Sequence, residues 1–407
     1  MREPIRRMRP PPWARVALVA LGLAGGAPAA HAAPPPRAVG TLADAQALLA
    51  AGSTDEALSL LRRLVEAQPR DADVRLVLGS ALALVPRRTE ALEQLSEAIR
   101  LRPGHAGGYL ALGLALTRFV ELDRARDAFS KAIDLDPRFA PAHVNLALVL
   151  AQEGERETAL RHLSRAVEIE GASPAAAYAH HLTGLLLAEL DRPEDAATAF
   201  AKAIALRADH AEAHLHLGLA RRSTLDFAGA LASLREAVRL APDDGRGNYE
   251  LGRELLRAGR AGEAVAHLRK AAGARPEDAA VLYALGRALQ AAGRPDDAAA
   301  ALAALRAARA RTGERDRRAF EASRLNNQGV ELEKSGEPAA ALQRYAAALD
   351  LDPLNPVFRR NLGLALCRAG RWREGAQELR EVLRLDPNDD EAAKALVLAT
   401  ERENQGP

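Results

Sequence analysis

Three histidines, His143, His180 and His214, recur along the chain, with His181 and His216 beside them. Imidazoles repeated in this way could stack and converge on zinc or copper, which suit nitrogen ligands. The plainer reading is that a large flat ring fills a repeated packing position, so no metal and no cofactor is expected. Cys367 is the single cysteine. It excludes an intramolecular disulfide and a Cys-rich zinc site, and reads as a small apolar filler. There is no Gly-rich phosphate loop, no Gly-x-Ser-x-Gly elbow and no His-Glu-x-x-His helix. The chemistry within reach of these residues is recognition, and the chain is expected not to be an enzyme.

The elements that would position such residues come from a repeat. Pro69, Pro103 and Pro137 stand 34 apart, as do Pro242 and Pro276, and Pro353 and Pro387. Each closes a phrase such as Ala-Ile-Asp-Leu-Asp-Pro (132–137). Counted from Ala106, one unit carries Tyr109, Leu112, Gly113, Leu116, Ala125, Phe129, Ala132 and Pro137 at positions 4, 7, 8, 11, 20, 24, 27 and 32. The same frame returns in Leu217, Gly218, Ala230, Ala237 and Pro242, and in Gly329, Gly336, Ala341, Tyr345, Ala348 and Pro353. Hydrophobic residues make up 48% and aromatics only 3%. Ala and Leu dominate, which favours helices over strands.

This set of anchors resembles the tetratricopeptide repeat, a 34-residue helix–turn–helix unit, in an exported bacterial type. The fold expected is all-α: a right-handed α-solenoid of about ten units with a C-terminal capping helix. Small residues at positions 8 and 20 are expected to let the two helices of a unit approach. Pro at position 32 ends the second helix. Gly at position 15 (Gly154, Gly259, Gly293, Gly336, Gly370) closes the first by adopting positive φ. Single units cannot bury their own apolar face, so neighbours must stack.

The resemblance implies a concave face lined by the first helix of each unit. Two regions follow from it. Units three to six present aliphatic residues: Leu110, Leu114, Val144, Leu148, Leu185, Leu215 and Leu219. Units six to eight turn basic and aromatic, with Arg222, Tyr249, Arg253, Tyr283 and Arg287, and Arg257 alongside. Tyr and Arg are enriched at binding hot spots, and Arg pairs with carboxylates through two parallel bonds. The expected function is a non-catalytic scaffold binding protein or peptide partners in this groove, in cell-envelope assembly, secretion or export. The alternative is a self-assembling structural protein of the envelope. The Asn ladder of repeats resembling those of the O-linked N-acetylglucosamine transferase is met only at Asn145, Asn327 and Asn361, and no glycosyltransferase domain follows.

The N-terminus has a different character. Arg2, Arg6, Arg7, Arg9 and Arg15 precede an 11-residue apolar run (16–26) and Ala30-His31-Ala32. That is the layout of a cleaved secretory signal, so a periplasmic or secreted location is expected. The alternative is an uncleaved anchor in the inner membrane, the one case in which membrane contact is expected. The leader holds five of the 56 basic residues and one of the 54 acidic ones. The remainder has 51 and 53, a net of −2. Neither nucleic acid nor a small-molecule substrate is expected. The frame divides the chain into a signal (1–32), a linker (33–40), units one to eight (41–309), a charged insertion or extended helix (310–321), units nine and ten (322–387) and a capping helix with tail (388–407).

Overall fold

The computed structural model describes residues 40–85, 87–387 and 389–405, so the expected signal and most of the linker lie outside the described residues. Twenty helices follow one another, and the described residues contain no strand. The chain divides into two compact units, the first ending at Glu254 and the second beginning at Leu255.

The first compact unit holds α1 (Leu42–Ala50), α2 (Thr54–Ala67), α3 (Ala72–Leu82), α4 (Arg88–Leu101), α5 (Ala106–Arg118), α6 (Leu122–Leu135), α7 (Ala140–Gln152), α8 (Arg156–Glu170), α9 (Pro174–Glu189), α10 (Pro193–Leu206), α11 (Ala211–Ser223) and α12 (Phe227–Leu240). The boundary falls within α13 (Gly245–Arg257). The second contains α14 (Ala261–Ala274), α15 (Ala279–Ala291), α16 (Pro295–Lys334), α17 (Pro338–Leu351), α18 (Pro356–Arg368), α19 (Trp372–Leu385) and α20 (Asp390–Gln405). This is an all-α helical repeat solenoid.

Proline marks where the second helix of most pairs stops. α4, α6, α12, α17 and α19 each end two residues ahead of Pro103, Pro137, Pro242, Pro353 and Pro387. The residue before a proline is pushed out of the helical region, so the last helical residue lies one further back. Where the frame has Ala208 in place of proline, α10 still ends at Leu206; at Ala310 the helix does not end, and α16 runs unbroken for 40 residues across 310–321.

The first helix of a pair ends in a left-handed residue. Gly154 has φ +89° and Gly370 +79°, as the frame anticipates. The same turn is imposed where no glycine stands: Val120, Asp191 and Leu225 have φ of 62°, 57° and 63°. The left-handed region costs a side-chain-bearing residue about 1–2 kcal/mol. The repeat's packing sets this backbone, and residue type only changes its cost.

The glycine at position 8 allows the close approach expected, with a Cβ at Gly79 falling 3.1 Å from the Ala91 carbonyl oxygen, and the side chain at position 24 uses the same space. A Cβ added at Gly113 would sit 2.4 Å from Cε1 of Phe129, and one at Gly184 2.6 Å from Cε1 of Phe200. The space is therefore claimed by the ring at position 24 of the same pair, more than by the alanine at position 20. Phe129 and Phe200 are 0% and 1% exposed as a result. Ser173 occupies the N-cap of α9 ahead of Pro174, but its hydroxyl donates to Glu170 at 3.1 Å and makes no cap bond. The final helix α20, at the place of the expected cap, has a mixed outer face, with Val397 and Leu398 60% and 49% exposed.

Candidate functional site

Of the aliphatic residues expected on the groove, Leu110 is 1% exposed and belongs to the core. Leu215 is buried too. Leu114, Leu148 and Leu185, with Val144, are half-buried and pack against the cluster that contains Leu110, Leu146 and Leu182. Position 5 of these units therefore feeds the core: Leu110, His181 and Leu215 are buried there and Val144 is half-buried. Ala and Leu alternate too densely on the first helices for the pattern to separate core from surface.

In the first compact unit Arg222, on α11, donates to Glu250 of α13 at 2.6 Å and lies 3.5 Å from Glu254. These side chains are 22%, 12% and 3% exposed. Burial works against the charge of Arg222, but Glu250 and Glu254 outweigh it and hold the guanidinium above its ordinary value. A half-buried ion pair of this kind fixes two helices together. Removing one partner would leave a buried charge at a cost of about 3–5 kcal/mol. Arg253 stands 3.5 Å from Glu250 and lies over the Tyr249 ring at 5.4 Å, a cation–π contact. Sequence reasoning singled out the basic members and missed Glu250 and Glu254, which neutralise them. The signal was there: Glu250 and Glu254 are spaced i, i+4, on one face of α13.

In the second compact unit α15 carries Tyr283 and Arg287 one helical turn apart. Both are exposed, Tyr283 by 50%, while Leu282, Ala284 and Leu285 around them are buried. Asp278 caps this helix by accepting from the backbone N–H groups of Ala280 and Val281. Arg257 is exposed at the end of α13.

The histidines group differently from the sequence expectation. His143 is buried and its Nε2 lies 3.2 Å from the Pro137 carbonyl, with Nδ1 3.0 Å from Nδ1 of His162. His214 reaches the Ala208 carbonyl. The cluster that forms is His181, His210 and His216, around Phe200. His181 and His210 stack with centroids 4.8 Å apart and planes 21° apart, and His216 lies 5.2 Å from His181. His210 Nδ1 accepts from the Ala213 N–H at the start of α11. Nε2 of His210 and Nδ1 of His181 are buried without a partner. Imidazole lone pairs lie in the ring plane, so stacked rings do not converge on one ion. Among the described residues no group of three or more His, Cys, Asp or Glu is arranged to hold a metal. Burial first, then neighbouring histidines and Arg207, press His181 down to about 3. Burial and Arg207 press His210 to about 4, and burial and Arg246 press His216 to about 4. All three stay neutral near pH 7. Cys367 is 8% exposed against Leu379 and Ala376, and burial raises its thiol above the ordinary value.

No helix among the described residues is long and apolar enough to cross a membrane. Tetratricopeptide repeat family models match this chain at residues 42–106, 86–138, 110–177, 144–208, 181–245 and 326–390, and a second such model at 255–315. The chain is 36% identical over 69 residues to the TPR repeat-containing thioredoxin TTL4 of Arabidopsis thaliana, covering 17% of this chain and 10% of that protein. It therefore spans about a tenth of that relative. Among solved structures it is similar to Pseudomonas aeruginosa pilF, with 18% identity, a TM-score of 0.48, and coverage of 53% of this chain and 97% of that one. It is also similar to YrrB, described as a TPR protein with an unusual peptide-binding site, with 21% identity, a TM-score of 0.40, and coverage of 47% and 98%. The family matches cover well over half of the residues and coincide with the helix pairs: the chain belongs to the tetratricopeptide repeat family, whose repeats indicate a protein–protein interaction scaffold and whose fold is typically non-catalytic.

Proposed function

We propose that this chain holds protein or peptide segments along the exposed face of its first helices, and that acidic segments are gripped in the second compact unit through Arg257, Tyr283 and Arg287, with Tyr249 and Arg253 offering the same chemistry separately in the first. The observation that carries the reading is the pair on α15. Tyr283 is a large aromatic left half exposed, with the Arg287 guanidinium one turn away on the same face. A phenol ring offers contact area at little entropic cost, and a guanidinium takes a carboxylate bidentately. Arg222 is withdrawn from this role by Glu250 and Glu254 and acts as a brace between helices. The leader of residues 1–32 supports export, hence a place in envelope assembly, secretion or export, without nucleic acid or a small-molecule substrate as ligand.

The test is affinity capture from envelope extracts with the wild type against a Tyr283→Ala/Arg287→Glu variant. Both positions are exposed, so the fold is retained. Partners recovered by the wild type are expected to be lost or depleted about tenfold by the variant. Identical recovery by both sinks the reading.

A further inference from the structure

The 40-residue α16 replaces what elsewhere is a turn between helix pairs, and its middle lies on no core. From residue 309 to 321 no side chain is buried. On one side of this stretch Leu305 and Ala308 pack with Leu282, and on the other Ala322 and Leu325 pack with Ala348 and Phe358. Arg306, Arg309, Gly313, Arg317, Phe320 and Arg324 follow at steps of three and four residues. At 100° per residue they share an arc of about 80° and run roughly 27 Å along the helix. The five large side chains are exposed, Phe320 by 72%. Arg311 and Arg315 lie on the opposite side of the helix, where both reach Glu277 in the turn before α15. The strip therefore faces away from that turn.

We propose that this strip is a docking surface for an acidic polypeptide segment. Charge names the occupant. Residues 306–324 hold seven arginines against three acids, Glu314, Asp316 and Glu321. Glu314 already serves both Arg317 and Arg318, at 3.3 and 3.0 Å. Arg306 and Arg309 make no ion pair among the described residues. The pairs of Arg317 with Glu314 and of Arg324 with Glu321 are exposed i, i+3 contacts, which a partner's carboxylates can replace at little cost. Phe320 supplies an apolar anchor among guanidinium groups, the pairing most enriched at hot spots. Gly313 adds a second argument. A glycine inside an exposed helix weakens it, and nothing lies within 4 Å of where its side chain would be. The chain's own packing has no use for it, whereas a partner's backbone could approach closely between Arg309 and Arg317. A phosphate polymer fits less well, because Asp316 on one rim and Glu314 and Glu321 on the other interrupt the positive field. A lipid surface needs more than one large apolar residue on the face.

The surface is separate from the Tyr283/Arg287 face, and the test keeps the two apart. The probe is a fluorescein-labelled peptide of about 20 residues, glutamate-rich along one helical face with one leucine, titrated into the full chain by anisotropy. With Arg309→Glu/Arg317→Glu/Arg324→Glu, Kd is expected to rise about tenfold or more, and with Phe320→Ser a few-fold. In the Tyr283→Ala/Arg287→Glu background, which removes the α15 face, the same losses are expected, and Arg373→Glu/Arg380→Glu, at two exposed positions of α19, is expected to leave Kd unchanged. The matching Arg→Gln triple, checked for helicity by circular dichroism, guards against a loss of fold. The proposal is overturned if the triple variants bind as tightly as their parent or if the Arg373/Arg380 variant loses as much. It is equally overturned if oligothymidylate or phosphatidylserine vesicles bind the strip more tightly than the peptide.

Discussion

The two compact units are built from the same repeat but spend their residues differently. In the first, helix pairs share long continuous clusters, one from Leu110 to Leu186 and one from Ala45 to Ala115. Of its candidate arginines Arg222 is consumed by Glu250 and Glu254 while Arg253 stays exposed, and three of its histidines are sealed around Phe200. In the second, the cluster of Leu282, Leu305 and Ala308 and that of Ala322, Leu325, Ala348 and Phe358 are separated by a stretch of α16, 309–321, in which no side chain is buried. Its aromatic and basic residues, Tyr283, Arg287 and Phe320, face solvent. Continuous stacking yields stability and uses up recognition groups; interrupted stacking leaves them available.

Acidification should separate the units most. His181, His210 and His216 have folded-state values of about 3 to 4, below the ordinary 6.5. The unfolded chain therefore takes up protons that the folded chain refuses. Stability is complete above the ordinary value and is lost as pH falls from there towards the folded values. Near pH 5 each histidine costs up to about 2 kcal/mol. Hydrogen exchange should show α9–α11 losing protection ahead of α17–α19, and His181→Phe should flatten that pH profile. Equal loss in both units would break the contrast.

Glycine substitutions sharpen it at a smaller scale. Gly113→Ala drives a methyl into Phe129 and should cost about 2–3 kcal/mol in urea denaturation. Gly313→Ala meets open space and should stabilise α16 by about 0.5–1 kcal/mol. A destabilising Gly313→Ala would mean that the stretch is packed after all. The strained turns of the first unit should give an effect of the same size: Val120→Gly and Leu225→Gly should each raise stability by about 0.5–1 kcal/mol, read as a higher urea midpoint. A loss at either would show that the exposed side chain, not the backbone, matters there.

Much of this was legible in the chain. The prolines at 34-residue spacing, the glycines with positive φ and the buried alanines at positions 20 and 27 follow from local sterics, which a sequence records directly. The absence of proline at 310 left a choice between a charged insertion and an extended helix, and α16 is continuous there. Site residues were less legible. Arg222 read as a free cation because its neutralising partners sit 28 and 32 residues away, on the next pair's first helix. Leu110 read as surface because an apolar helix in an Ala/Leu-rich repeat has no polar face to mark its inside.

By itself, then, the order of residues determined the repeat, its period, its helix ends and its family, because each depends on what a backbone segment can adopt next to proline, glycine or a small side chain. Tertiary structure alone decided which charges cancel, which imidazoles meet in stacks without converging lone pairs, and which stretch of helix stands clear of any core. Those outcomes depend on distances between side chains on different helices, and charge and apolarity act through space, not along the chain.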